Sequence, residues 1–516
     1  MKNVLYIGLI LLTLGITGCE KQLEVLPENS LTLNNALTTP QDFESAIWGI
    51  EQILRTSGIS NGPLTQELKG YYVDIIPSNG SSSLKNDYNS VEIVSYNTQN
   101  WQIYYQGIAA TNTVLNRVDD APLSKDRQNL YKGQALFFKA TFYYKIIQRW
   151  GDCMLVKDDV LLQPQAKTPW HEVAAYAIEL TREAVRLLPE FNQMTDWKGN
   201  TYANKAIPGK GAANALLAYL CAWQAGCKYF ANNPDYDEQQ LWKEAEQACT
   251  EIIESKAYEL EPNPESVCTR GLVENSSESI YETVNRGFEY ELSTWDMPTL
   301  VHLLAYDCDL QTWYPESSSD ISSINSSYRN KILVSTVNKW YGTGDTRKDA
   351  YFYRVNEFEE QTGGYAWCYK YREAIYNKND GLKQGLNQNK VWWRLADIYL
   401  LRAECRARLG GEYTAGAIDD LNKIRDRAGA KRYESTEDGG DLRYTIFLER
   451  QKELFLEGHR YFDVIRNGYV NTELHGDFKT LSVQDMKDGA LFMCIGSSAF
   501  DNNPLLRQNT YWFRRM

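Results

Sequence analysis

Three glutamates near the C-terminal end are spaced so that they could act together in acid–base chemistry. Glu449, Glu453 and Glu457 lie four residues apart, which places their carboxylates on one face of a helix. A pair of carboxylates flanking the scissile bond is what glycoside hydrolysis requires. Arg450 and Arg460 are close in sequence and would keep such carboxylates ionised. The spacing therefore favours an ion-pair network of the scaffold over a set of catalytic acids.

Other motifs of catalysis or metal binding are weak. Residues 58–62 read Gly-Ile-Ser-Asn-Gly and match a nucleophile elbow, but an elbow needs a strand before the serine, and a helical pattern precedes it here. The chain has four histidines, and its ten cysteines include no Cys-x-x-Cys pair, so the usual zinc spacings are absent. With 67 acidic and 54 basic residues, the surface repels polyanions, which disfavours nucleic acid as a partner. No cofactor, no metal ion and no enzymatic activity are predicted.

Aromatic side chains are the more promising binding groups, since the chain has 35 Tyr, 14 Trp and 16 Phe. Many lie between residues 257 and 390, among clusters of Ser, Asn and Gly. A pyranose ring presents an apolar face that Trp or Tyr can cover, while Asn, Gln, Asp and Arg bind its hydroxyl groups. Trp313 and Tyr314 lie beside an acidic, serine-rich run, which favours exposure to solvent. Trp392 and Trp393, which the pattern places at the start of a helix, are predicted to be core residues.

Helical periodicity dominates the segments that must position these side chains. Helices are predicted over residues 42–56, 101–118, 124–149, 170–188, 210–225, 241–255, 392–409, 414–427 and 441–457. Helix pairs joined by short turns are typical of tetratricopeptide (TPR) hairpins, although no strict period of about 34 residues is present. The fold class is therefore predicted to be all-α. A TPR-like helix-hairpin scaffold covers about 41–256 and 391–460, and a long, irregular, loop-rich insertion covers about 257–390.

The N-terminal residues have the features of a bacterial lipoprotein signal. Lys2 precedes an apolar run over residues 4–16, which is shorter than the roughly 20 residues that a spanning helix needs. The run ends Ile-Thr-Gly-Cys, which is similar to a lipobox, where the cysteine becomes acylated. We therefore expect residues 1–18 to be a lipoprotein signal peptide, Cys19 to be lipidated, and residues 19–40 to form the lipid anchor and linker.

Six stretches, in the same order along the chain, resemble the SusD/RagB family of surface lipoproteins from Bacteroidetes-type bacteria. The longest is Glu-Arg-Gln-Lys-Glu-Leu-Phe-Leu-Glu-Gly-His-Arg-Tyr-Phe-Asp-Val-Ile-Arg-Asn-Gly at residues 449–468. The others lie at Cys19 with 23–27, at 137–140 with 150–152, at 212–218, at 394–404 with 421–429, and at 503–509. They span nearly the whole chain, so residues 41–516 are identified as a SusD-like domain.

The resemblance implies a helical, TPR-containing protein that binds an oligosaccharide or polysaccharide. It also implies a location on the outer membrane, lipid-anchored and exposed at the cell surface, and a partner, a SusC-type TonB-dependent transporter. In the family, the ligand surface is built from the loop before the second helix and from the middle insertion. The ligand-binding residues that this implies are Trp313, Tyr314, Trp295, Tyr96, Tyr88 and Asn97.

Three alternatives share the same scaffold signatures and stay open at this point. A RagB-like relative would capture peptide in place of glycan. A surface glycoside hydrolase would cleave the glycan that it binds and release new reducing ends. A structural lid would bind no ligand and contribute only to the gating of the transporter.

Overall fold

Consecutive helices pack against one another and form most of the described structure. A computed structural model of the chain describes residues 36–60, 76–77, 101–157, 163–273, 275–284, 330–357, 359–362, 364–372, 374–376, 383–386, 388–474, 476–501 and 503–515. The longer helices are α1 (Pro40–Ser60), α2 (Gln102–Val118), α3 (Lys125–Trp150), α4 (Trp170–Leu187), α5 (Lys210–Gly226), α6 (Glu238–Glu254), α7 (Leu395–Leu409), α8 (Tyr413–Ala428), α9 (Leu442–Glu453) and α10 (Arg460–Asn467). The predicted mainly helical fold class is confirmed.

Short strands and single helical turns complete the described part. The strands are β1 (Ile76–Pro77), β2 (Ser279–Thr283), β3 (Asn330–Leu333), β4 (Phe352–Tyr353), β5 (Tyr365–Cys368), β6 (Ala374–Tyr376), β7 (Lys383–Leu386) and β8 (Lys390–Arg394). The short helical segments are Phe191–Gln193, Cys227–Phe230, Pro264–Ser266, Val267–Gly271, Val334–Trp340, Arg347–Tyr351, Glu359–Thr362, Val470–Glu473, Gly476–Thr480, Val483–Lys487, Ser497–Ala499 and Thr510–Phe513. The strands form an antiparallel sheet in the order β1–β3–β5–β4 and the antiparallel pairs β2–β8 and β6–β7.

Helix α3 shows how the local sequence fixes these elements. The hydroxyl of Ser124 caps its first turn by accepting a hydrogen bond from the backbone N–H of Arg127 at 3.4 Å, as the sequence predicts. Phe137, Phe142 and Tyr143 are fully buried although they lie on different sides of the helix. Helix α3 is therefore enclosed by its neighbours, chiefly α2 and α4, and it forms the centre of the core.

The helix predicted to begin at Trp392 begins instead at Leu395. Trp392 and Trp393 lie on β8, which pairs with β2, so their predicted helical position is wrong. Strand β8 runs directly into α7, and a short apolar run of this kind has no period that separates strand from helix. Trp393 is buried, as predicted, and its ring stacks on that of Tyr219. Trp392 is half-buried.

The helix predicted over 441–457 ends at Glu453, so Glu457 does not continue the face of Glu449 and Glu453. Two residues with positive φ follow: Leu456 at 68° and Gly458 at 87°. This backbone conformation is incompatible with a continued right-handed helix. The sequence period alone did not reveal the break, because the acidic spacing continues through it.

The cysteines of the described part are free and buried, and Cys221, Cys249 and Cys405 lie inside helices as small core residues. Over the same residues, no helix is both long enough and apolar enough to cross a membrane. Nor, within these ranges, do three His, Cys, Asp or Glu side chains come together in a group that could hold a metal ion.

Candidate functional site

The six predicted ligand-binding residues lie outside the described part of the chain, as does Cys19. These are Trp313, Tyr314, Trp295, Tyr96, Tyr88 and Asn97. They belong to two segments, 78–100 between β1 and α2 and 285–329 between β2 and β3. The structure describes the elements at which both segments begin and end.

Strands β1 and β3 place one end of the first segment beside one end of the second. The two strands are antiparallel neighbours, with Pro77 opposite Asn330 and Ile76 opposite Lys331. Pro77 directly precedes the segment 78–100, and Asn330 directly follows the segment 285–329. Paired residues on adjacent strands have Cα atoms about 4.5–5.5 Å apart. The first segment therefore starts beside the point where the second one ends, although more than 200 residues separate Tyr96 from Trp313 in the sequence.

The sheet that carries this junction is attached firmly to the helical scaffold. Strand β3 pairs with β5, and β5 pairs with β4. Phe352 of β4 is fully buried, and its ring lies 5.0 Å from that of Phe455, which follows α9. Tyr341, which follows the short helix Val334–Trp340, donates a hydrogen bond to the backbone oxygen of Lys452 at 3.0 Å. A ligand surface built at the β1–β3 junction would thus stand on a rigid base.

The three glutamates singled out in the sequence belong to a buried ion-pair network, which we call the Glu453 cluster. Glu453 binds Arg394 at 2.8 Å, Arg347 at 3.4 Å and also Arg427. The remaining members are Glu278, Asp345, Lys370, Arg425, Glu449 and Glu457. The predicted ion-pair role is confirmed. The predicted partners Arg450 and Arg460 are wrong, because Arg450 binds Asp397 and Asp463 and Arg460 binds Glu473.

The cations of the Glu453 cluster keep Glu449, Glu453 and Glu457 ionised. Burial by itself would raise the pKa of Glu449 and Glu457. The charge of Arg347 overrides this for Glu449, and the charges of Arg394 and Lys370 do so for Glu457, so that both pKa values fall to about 2. A glycosidase acid must hold a proton near neutral pH. None of the three glutamates can do so, since the pKa of Glu453 is also lowered, against the effect of burial, by Arg427 and Arg394.

A second buried ion-pair network, centred on Arg450 of α9, connects four of the helices. Arg450 binds Asp397 and Asp463, each at 2.8 Å, and its guanidinium also donates a hydrogen bond to the hydroxyl oxygen of Tyr219 at 2.8 Å. Arg466 binds Glu404 at 2.6 Å and Asp463 at 2.7 Å. These residues come from α5, α7, α9 and α10. The 449–468 signature is therefore mainly scaffold, since its charged side chains point into the core.

A small pocket lies beside this second network, where β8 meets α3 and α10. Its walls include Trp392, Lys145, Gln148 and His459. The ammonium of Lys145 lies 4.5 Å from the centre of the Trp392 ring, and the Oε1 atom of the buried Gln148 has no hydrogen-bond partner among the described residues. The cavity volume is about 30 Å³. This is room for a few water molecules, whereas ligand pockets measure about 300–1,000 Å³. The pocket is therefore too small to bury a sugar ring.

An exposed tryptophan that the sequence analysis did not single out lies on a turn between α4 and α5. The side chain of Trp197 is 42% exposed, which makes it the most open tryptophan of the described residues. The available sequence signal was the turn itself, Asp-Trp-Lys-Gly-Asn at 196–200, which places an aromatic residue where no helical or strand face continues.

Two family models match different parts of the chain. The model described as the SusD family matches residues 309–512. The model described as "Starch-binding associating with outer membrane" matches residues 21–195. The first match includes Trp313, Tyr314 and the 449–468 signature, and the second includes Tyr88, Tyr96 and Asn97.

Individual proteins are similar over most or part of the chain. SusD-like protein P25 from Formosa agariphila is 23% identical over 516 aligned positions, which cover 91% of each chain. The starch-binding protein SusD from Bacteroides thetaiotaomicron is 32% identical over 113 positions, or 22% of this chain and 18% of that protein. The crystal structure of a SusD homolog from the same bacterium superposes with a TM-score of 0.72 at 18% identity, covering 92% of this chain and 98% of the other. At this identity the superposition shows that the fold is shared.

Proposed function

This chain belongs to the SusD/RagB family, and from this premise we propose that it captures oligosaccharide at the cell surface and delivers it to a SusC-type TonB-dependent outer-membrane transporter. The family is one of glycan-binding proteins associated with the outer membrane. The proposal has three specific parts, which are the oligosaccharide ligand, the transporter partner and the lipid anchor. The protein acts by binding, without cleaving its ligand.

The pairing of β1 with β3 is the observation that carries the proposal. It places the start of segment 78–100 beside the end of segment 285–329, and these two segments contain all six predicted ligand residues. Each segment contributes aromatic side chains, Tyr88 and Tyr96 from the first and Trp295, Trp313 and Tyr314 from the second. Flat, rigid rings lose little conformational entropy on binding and cover the apolar face of a pyranose. Two aromatic segments at one junction suit a chain of several sugar units.

We expect Trp313→Ala to weaken glycan binding and to leave the melting temperature nearly unchanged. Stacking of a nucleobase on an aromatic ring is worth about 1–3 kcal/mol, and a sugar face lies at or below the low end, so affinity should fall several-fold to tenfold. Tyr314→Ala should behave in the same way. A carbohydrate array with protein that begins after Cys19 identifies the ligand, and isothermal titration calorimetry then gives the affinity.

Trp223→Ala provides the matched comparison, because Trp223 is fully buried in α5. Truncating a core tryptophan costs about 3–5 kcal/mol of stability. If Trp313→Ala behaves like Trp223→Ala, with a large fall in melting temperature and unchanged binding, the predicted contact is wrong. Release of new reducing ends from a bound glycan, lost on replacing one carboxylate, would favour the hydrolase, and binding of peptides alone would favour the RagB-like alternative.

We expect Cys19→Ala to move the protein from the membrane fraction to the soluble fraction. The acyl chains on Cys19 would be the attachment to the bilayer, since the apolar run at 4–16 is too short to span it. Fractionation is followed by a high-salt wash, which dissociates proteins held only by a partner. A variant that remains in the washed membranes would contradict lipidation as the anchor.

A further inference from the structure

Residues 195–201, which we call the Trp197 turn, form a hairpin closed by its own hydrogen bonds. Thr195 and Thr201 form an isolated β-bridge. The carboxylate of Asp196 accepts hydrogen bonds from the backbone N–H groups of Lys198 at 2.9 Å and Asn200 at 2.8 Å. Gly199 adopts a φ of 89°, which favours glycine. The turn therefore holds one conformation without support from the residue at its tip.

Hydrogen bonds with residues of α1 and α3 hold the Trp197 turn in place. Glu44 of α1 accepts a hydrogen bond from the backbone N–H of Trp197 at 2.7 Å, and its carboxylate is also bonded by the side chain of Trp48. Arg127 of α3 donates to the backbone oxygens of Thr195 and Asp196, both at 2.6 Å. Glu44 is 7% exposed. These contacts fix the backbone of residue 197 while they leave its ring free.

The ring of Trp197 faces solvent in polar surroundings. The ammonium of Lys198 lies 5.0 Å from the centre of the ring, and the neighbouring residues Gly199, Asn200 and Thr201 are exposed. The other large apolar side chains that are exposed in the described part belong to Val483, Leu505 and Phe513, far along the chain. A protein interface buries about 800 Å² per partner around an apolar core. A single rigid ring bordered by an ammonium and an amide is too small for such an interface, and it matches one sugar ring in size and chemistry.

We propose that the Trp197 turn is a second carbohydrate-contact surface, on which the indole ring of Trp197 stacks against the apolar face of one pyranose unit of a polysaccharide. Lys198 and Asn200 bind hydroxyl groups at the edge of that unit. The proposal rests on the proposed function for its ligand class, but it uses none of the six residues of the β1–β3 junction. Two contacts on one polysaccharide chain increase its residence on the protein, because the second contact forms intramolecularly.

The test measures polysaccharide binding by retardation in native gels that contain soluble starch, xylan, mannan or pectin. Trp197→Ala should weaken the retardation by about threefold to tenfold, at an unchanged melting temperature, and Trp197→Tyr should restore part of it. Phe513→Ala removes another exposed aromatic ring, 72% exposed, and should leave the retardation unchanged. Unchanged retardation of Trp197→Ala, or a loss that is accompanied by a large fall in melting temperature, would overturn the inference.

A chemical footprint tests the same contact without a substitution. N-bromosuccinimide oxidises exposed indole rings, and mass spectrometry of the tryptic peptide that ends at Lys198 reports the modification of Trp197. Bound polysaccharide should slow this oxidation several-fold, whereas the buried Trp150 should stay unreactive with or without it. If the wild-type protein binds a polysaccharide but Trp197 is not protected, the second surface is wrong and the proposed function stands. If none of the polysaccharides retards the wild-type protein, the result contradicts both the second surface and the proposed glycan-binding function.

Discussion

Glu453→Gln is expected to lower the free energy of unfolding by about 3–5 kcal/mol, the cost of breaking a buried ion pair by removing one partner. The substitution keeps the shape of the side chain but removes the charge that faces Arg347, Arg394 and Arg427. The new amide also presents N–H groups to guanidinium N–H groups, which are donors as well. Glu453 and the guanidinium groups of Arg347 and Arg394 are completely buried, so water cannot replace the lost contacts.

Denaturant titration followed by tryptophan fluorescence measures this loss, and Glu437→Gln is its control. Glu437 pairs with Lys431 at the surface, where the two side chains are 53% and 62% exposed. Exposed pairs contribute about 0–1 kcal/mol, so the control should unfold at nearly the wild-type denaturant concentration. Equal stability of the two variants would contradict the structural role assigned to the Glu453 cluster.

Acidification is expected to destabilise the protein through the same cluster. The pKa values of Glu449 and Glu457 are about 2 in the folded state, compared with 4.5 for an ordinary glutamate. The unfolded state therefore takes up protons at a higher pH than the folded state does. Each glutamate contributes about 3 kcal/mol of stability above pH 4.5, and this contribution is lost as the pH falls from 4.5 towards 2.

Some buried carboxyl groups have the opposite effect and reduce the dependence of the unfolding free energy on pH. Burial raises the pKa of Glu282 and Asp420, so their protonation favours the folded state as the pH falls. The measurement is the unfolding free energy from denaturant titrations between pH 7 and 3. In Glu457→Gln the decline below pH 4.5 should be shallower than in the wild-type protein, because one of the glutamates with a lowered pKa is gone. A stability that is constant from pH 5 to 3 would disprove the mechanism.

The sequence predicts the helices well because the relevant signals are local. Ser124 before α3 and the apolar spacing within α5 act over a few residues, and both helices appear within two residues of their predicted ends. The strands could not be found in this way. Strand β2 is buried along its whole length and so shows no alternation, and β1 and β4 have two residues each.

The candidate site was less accessible to sequence reasoning for a different reason. Arg347 lies 106 residues before its partner Glu453, Lys370 lies 87 residues before its partner Glu457, and no local pattern connects them. The β1–β3 pairing likewise joins residues that are distant in sequence. The six ligand-binding residues came from a family resemblance, lie outside the described residues, and stay predictions. Trp197 is not predicted as a binding residue, because the exposure of its ring to solvent depends on the tertiary structure.

The strand pairs at both ends of segment 285–329 allow this segment to change in length and sequence between related proteins. Thr283 is paired with Lys390 on β8 just before the segment, and Asn330 and Lys331 are paired with β1 just after it. With both ends tethered, doubling the length of the intervening loop adds only about 0.6 kcal/mol of closure entropy. Insertions, deletions and whole-loop exchange between relatives are therefore thermodynamically cheap here. With the ligand surface on this segment, as we propose, exchange of the segment would change the ligand preference, while the buried ion pairs of the described residues keep their partners.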